Sequence, residues 1–157
     1  MSLGGRFRHP ESADGATTEF VIELPSDLLL IEATVSYLVS RCRAYSYEGS
    51  RLDLNFRVGV TEALANAVLY GNRSNPDKTV RVEVSLDTSR IVVSVADEGE
   101  GFDPTSVPDP TAPENIEAPR GRGLFLIRHL MDEIEFNDRG NEVRMVLVRE
   151  VSASRTA

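Results

Sequence analysis

Two hydrophobic periods stand side by side in the middle of this chain, and together they demand a sheet with helices packed against it. From Val80 to Leu86 every second residue is apolar, and the residues between are Arg81, Glu83 and Ser85. That alternation gives a strand one core face and one wet face. Just upstream, Phe56, Val60, Ala63 and Ala67 recur at spacings of 4, 3 and 4, the buried stripe of a helix from about Leu52 to Leu69. Leu28, Ile31, Val35, Leu38 and Cys42 form a second such stripe, after a Pro25-Ser26-Asp27 start in which Ser26 is the candidate cap.

The remaining elements follow from the same two periods. Thr18 to Leu24 alternates as a first strand, and Ile91 to Ala96 follows an Asp87-Thr88-Ser89-Arg90 turn as an antiparallel partner. Gly121 to Asp132 is expected to be helical, with Leu124, Ile127 and Met131 on one side. Glu133 to Phe136 and Glu142 to Val148 flank an Asp138-Arg139-Gly140-Asn141 turn, a final hairpin. This order predicts an α/β (α+β) two-layer sandwich, a mixed, largely antiparallel sheet with helices on one face. Residues 102–119 interrupt it with five prolines and no period. An irregular loop of that length inside a compact domain is functional or disordered. Residues 1–17 read as a flexible arm, 18–150 as one domain and 151–157 as a disordered tail.

Composition excludes several functions. The 157 residues suit a single domain with a real core. No apolar run approaches the ~18 residues needed to span a bilayer, and the amino-terminal stretch lacks a signal-peptide core; a cytoplasmic protein without membrane contact is expected. A net charge of −8 opposes direct nucleic-acid binding. It leaves open a basic protein partner, simple solubility, or a polyanionic ligand met by locally placed cations and N–H groups. One cysteine on a helical stripe is a buried thiol, and His9 and His129 are too few for a histidine-based metal site.

Three short stretches carry chemistry. Glu62 and Asn66 stand at i and i+4, on one helix face beside the core stripe. They are either a solvated flank, or a general base one turn from a hard oxygen ligand for Mg²⁺, an ion that needs few protein ligands. Asp97-Glu98-Gly99-Glu100-Gly101-Phe102 follows an apolar strand directly. It is either a turn, or a carboxylate that accepts a hydrogen bond from an exocyclic amine, with Gly99 and Gly101 allowing close backbone approach to a flat ligand. Gly121-Arg122-Gly123-Leu124 opens a helix. Either Arg120 and Arg122 are surface residues at a helix cap, or this is a phosphate site built from first-turn N–H groups and the helix dipole.

Taken together and in this order, EALANAVLYGN, DEGEGFDP and GRGLFLIRHLMDE resemble the N-box and the two glycine boxes of the GHKL (Bergerat-fold) ATPase superfamily. The short single domain is most similar to the anti-sigma factor serine/threonine kinases. The resemblance covers residues 20–150, and it implies ATP and Mg²⁺ as ligands. It further implies Glu62 as the base, Asn66 as the metal ligand and Asp97 as the adenine reader. Gly99 and Gly101 would shape the pocket, residues 102–119 would form an ATP lid, and Gly121, Gly123 and Leu124 would lie at the phosphates with Arg120 or Arg122. Partners implied are a sigma factor and a STAS-domain anti-anti-sigma protein phosphorylated on serine, with the kinase a homodimer. The sequence departs from many relatives in having Tyr70-Gly71 rather than His-Gly, and Pro119 where a lid arginine is usual. Two rival readings are a module that sequesters a partner without kinase activity and the catalytic domain of a histidine kinase. Against the latter, the chain has no companion dimerisation helix bearing a phospho-acceptor.

Overall fold

The computed structural model describes residues 17–103 and 119–149. The expected arm lies outside these except for residue 17, as do residues 104–118 of the proline-rich loop and the tail. Five strands are present: β1 (Thr18–Pro25), β2 (Thr79–Leu86), β3 (Arg90–Ala96), β4 (Glu133–Phe136) and β5 (Glu142–Val148). They form one sheet in the order β1-β2-β3-β5-β4, antiparallel at every pairing. The expected mixed, largely antiparallel sheet thus resolves to a fully antiparallel one among the described residues. Three helices, α1 (Ile31–Ala44), α2 (Arg57–Asn66) and α3 (Pro119–Leu130), complete the two-layer sandwich.

The periodicities read from sequence are the contacts that hold the layers together. Val80, Val82, Val84 and Leu86 of β2 share one core with Ile91, Val93 and Val95 of β3 and Val143, Met145 and Leu147 of β5. Into that core α1 presses Ile31, Val35, Leu38 and Cys42, and α2 presses Val60, Ala63 and Leu64. Burying side chains of this size contributes about 1.5–3 kcal/mol each, before the entropy of ordering the chain is subtracted. On the other face of β2, Arg81 is held between Glu23 and Glu83, at 2.9 Å to each.

Two details differ from expectation. Ser26 is not the helix cap; Asp27 is, accepting the Leu29 N–H at 2.9 Å over a 3-10 turn, Leu28–Leu30, which leaves Leu28 outside the core. Ser26 instead donates to the Lys78 carbonyl at 2.7 Å, tying the start of the α1 region to β2. The second helix is longer and less regular than its stripe implies. Wider π turns, Arg51–Phe56 and Ala67–Gly71, extend α2 at both ends. Such turns often occur where a helix must re-aim residues at a site.

Among the described residues no helix is long and apolar enough to cross a membrane. Cys42 is fully buried, and burial pushes its thiol up to about 12 although Arg41 pulls the other way. Since the thiolate is the nucleophile, the native protein should resist iodoacetamide at pH 8. The unfolded chain should be alkylated at the rate of an ordinary cysteine. Rapid stoichiometric labelling of the native protein would contradict this packing.

Candidate functional site

A cleft open to solvent lies between α2, α3 and the ends of β3 and β5. Val95, Phe102, Leu124, Ile127, Phe136 and Val143 give it apolar walls, while Asn66, Asp97, Asn141 and Glu142 supply polar groups. Apolar walls with buried carboxylates among them suit an apolar ring that bears a hydrogen-bond donor.

Asp97 owes its position to the loop after β3. Its N–H donates to the Asn141 carbonyl at 2.9 Å, and its Oδ1 accepts the Gly99 N–H at 2.8 Å. The carboxylate is only 9% exposed. Gly71, at the end of the α2 extension, sits against it so closely that a Cβ there would lie 2.2 Å from Asp97 Oδ2. A Cβ at Gly99 would in turn lie 2.1 Å from the Gly71 carbonyl oxygen. In the sequence, Gly71 and Asn72 read as the stop of the second helix. The left-handed residues beyond it are Arg73 and Ser74, and glycine is needed at 71 for this approach.

Gly99 and Gly101 do not line the cleft. Gly101 has φ +83°, and its α-carbon faces the Arg139 carbonyl, 1.7 Å from where a Cβ would stand. Both glycines therefore let protein backbone meet protein backbone, and the ligand-facing surface is left to Asp97 and the apolar walls.

At the other end, Glu62 and Asn66 converge on α3. A Cβ at Gly123 would fall 3.1 Å from Glu62 Oε2 and 3.2 Å from Asn66 Nδ2. The i, i+4 spacing thus places both side chains beside one glycine, and a side chain at 123 would fill the gap between helix and ligand groups. The helix begins at Pro119, two residues earlier than expected, so Arg120 and Gly121 lie in its first turn; their surroundings are outside the described residues. Arg122 is exposed. This set fits the groups implied for it: an amide oxygen at Asn66 for a hard cation and a carboxylate at Glu62 beside it.

Sequence reading placed the turn before β5 but missed the bonds that Asn72 and this turn make to the Asp97 loop. Asn72 is 1% exposed; its Oδ1 accepts the Glu98 N–H at 2.8 Å, and its Nδ2 donates to Ser26 Oγ and the Thr79 carbonyl, both at 2.9 Å. Asn137 Oδ1 accepts the N–H groups of Asn141 and Glu142 at 3.0 and 3.2 Å, which fixes the turn that carries Asp97's backbone partner. A buried asparagine directly after a helix was the available signal for the first, and a pair of asparagines bracketing Asp-Arg-Gly for the second.

Comparison with known proteins agrees with this geometry. Residues 24–147 match the family of the histidine kinase-like ATPase domain. The chain is similar to the serine-protein kinase RsbW of Oceanobacillus iheyensis, 32% identical over 111 residues that cover 67% of this chain and 68% of that protein. The serine-protein kinase RsbW of Staphylococcus epidermidis is 32% identical over 125 residues, covering 74% and 76%. That of Listeria innocua serovar 6a is 30% identical over 128 residues, covering 77% and 79%. The chain belongs to the histidine kinase-like ATPase domain family, whose fold is built to use ATP.

Two measurements test the loop. Gly101→Ala should destabilise the protein by about 2 kcal/mol or more, because it adds a backbone collision to a left-handed φ. Gly49→Ala, at φ +79° with open space around it, should cost about 1 kcal/mol. Equal losses on chemical denaturation would remove the collision. Second, Glu98 Oε1 accepts the Thr79 N–H at 2.7 Å and the Thr79 hydroxyl at 2.9 Å. These bonds, the backbone one foremost, hold the Glu98 carboxyl below its usual value; burial opposes them and Lys78 assists slightly. With the folded value depressed, this stabilisation is complete above the unfolded-state value of about 4.3 and is lost as pH falls through the lower folded one. Thr79→Val should move the carboxyl midpoint, followed by NMR, up toward the usual value, and an unmoved midpoint would refute the contact.

Proposed function

We propose that this chain is an ATP-dependent protein serine/threonine kinase that acts as an anti-sigma factor. It phosphorylates a serine on a STAS-type anti-anti-sigma partner and sequesters a sigma factor in the cytoplasm, working as a homodimer. The observation that carries this reading is the convergence of Glu62 and Asn66 on Gly123 at one end of a cleft whose other end holds Asp97. The shared name of the relatives, serine-protein kinase, supports the choice of reaction.

In this reading ATP is the phosphoryl donor, and Asn66 would hold Mg²⁺, which would offset charge on the phosphates. Asp97 accepts a hydrogen bond from the adenine amine, while Val95, Ile127 and Phe102 exclude water from the ring. Gly121, Gly123 and Leu124 bring backbone N–H groups of α3 to the phosphates, with Gly99 and Gly101 holding the opposite loop in place. Glu62 takes the proton of the partner's serine hydroxyl as its oxygen bonds to the γ-phosphorus and the bridge to ADP breaks. Arg120 or Arg122 balances the charge that develops. Glu62 sits beside Asn66, so base and cation act on the same end of the ligand.

The test is transfer of label from γ-labelled ATP to a candidate STAS partner. Glu62→Ala should lower the rate by about 10²–10⁴-fold and leave nucleotide affinity nearly unchanged. Asp97→Asn should do the reverse, weakening nucleotide about 10- to 100-fold by placing an amide N–H against the adenine amine. Wild-type transfer by Glu62→Ala would exclude it as the base. Partner capture with no labelled serine in any variant would instead favour a sequestering module.

A further inference from the structure

The loop that carries Asp97 is held by more than Asp97's own bonds to Asn141 and Gly99. Between β3 and the cleft the chain turns at Glu98, and the Glu98 N–H is bound by a side chain from another element, Asn72 Oδ1 at 2.8 Å. Asn72 stands one residue past the α2 extension, so it links the helix bearing Glu62 and Asn66 to the loop bearing Asp97. Its amide is in turn fixed from behind by Ser26 Oγ and the Thr79 carbonyl, which leaves its acceptor aimed one way. Ser26 is itself anchored to the Lys78 carbonyl. Four separate segments therefore meet on one buried side chain, and none of its groups reaches the cleft.

We propose that Asn72 is a positioning residue that sets the Asp97 carboxylate against Gly71 and thereby determines selectivity for a base with an exocyclic amine. This inference rests on the reading of the cleft as an ATP site. The physical reason is directional. The fixed amide accepts the N–H of the residue next to Asp97 and so restricts the loop to one depth, at which the carboxylate abuts Gly71 and Asp97 lines the cleft. Without that bond the Glu98 N–H must seek water, and the loop is free to lift off Gly71. Apolar walls would still accept a flat ring; only the choice between ring substituents would fade.

The full chain, titrated calorimetrically with Mg²⁺ and either ADP or inosine diphosphate, tests this directly. Inosine carries a carbonyl where adenine has its amine and an N–H at N1 where adenine has an acceptor, so the ratio of the two affinities reads the contacts made to that edge of the ring. Asn72→Ala should weaken ADP about tenfold and inosine diphosphate by less than about twofold, narrowing the preference. Asn72→Asp keeps the acceptor for the Glu98 N–H but loses both donors; it should narrow the preference less, and it serves if the alanine variant folds poorly. Combined with Asp97→Asn, Asn72→Ala should add little further loss, since both act on one carboxylate. An unchanged preference in folded Asn72 variants, equal weakening of both nucleotides, or additive losses with Asp97→Asn would each overturn the proposal. Failure of the wild-type chain to bind ADP would overturn the ATP-site reading itself, a distinct outcome.

Discussion

The contact on which the rest of the molecule depends is one between two backbones, the Gly71 carbonyl against Gly99. Any Cβ at position 99 would stand 2.1 Å from that oxygen. Because neither partner has a side chain, the end of the α2 extension and the loop after β3 meet at backbone distance. The same helical run holds Glu62 and Asn66, so the two ends of the cleft are measured along one rigid axis. Nine positions of this run, four of α-helix and five of wider turn, separate Glu62 from Gly71. A ligand gripped at both ends must match that length, which is a constraint on its size before any hydrogen bond is considered.

Charge sharpens the constraint. A chain of net charge −8 offers a polyanion no attractive field at long range. Phosphates bound by such a chain must be met by groups at contact distance, and on the proposed reading the start of α3 would supply them. Pro119 opens the helix where a missing N–H costs little. Gly123 brings its backbone to the side chains of Glu62 and Asn66 without steric cost. The helix dipole adds positive potential at this end, where the arginines at 120 and 122 also stand. An overall acidic chain and a proposed local anion site are therefore compatible, since the second would be confined to one turn of helix.

How much of this was legible in the sequence follows from the range over which each signal acts. Strand limits were readable to within a residue because alternation is local: Glu133–Phe136 and Glu142–Val148 stand as expected. The stripe Phe56, Val60, Ala63, Ala67 is buried throughout for the same reason. The pairing of Glu62 with Asn66 is also local, and their convergence on Gly123 needed only the order of the motifs. What escaped were residues whose partners are distant in the chain. Ser26 looks like a cap because serine before a leucine run usually is one, yet its hydroxyl is taken by Lys78, 52 positions away. Asn72 reads as a helix stop, and its bonds to Ser26 and Glu98 cross 46 and 26 positions. Gly99 and Gly101 were read correctly as sites of close approach, but what approaches them is protein. No local pattern distinguishes a carbonyl from a ligand.

The proline-rich stretch gains its meaning from where its ends are fixed. On one side Phe102 lies edge-on to Phe136, with ring centroids 5.4 Å apart, and its carbonyl presses on Gly140, 1.9 Å from where a Cβ would stand. Gly140 takes φ +73° to allow this. On the other side the chain re-enters as α3, which runs straight to Gly123 and the Glu62–Asn66 pair. One anchor is an apolar wall of the cleft and the other is its polar end. The two are joined in the sequence by residues 104–118. On the proposed kinase reading, a shift of Phe102 would open the apolar wall beside the base, and a shift of α3 would carry Gly123 away from Glu62 and Asn66, so a disturbance at either anchor would reach a different part of the same reaction.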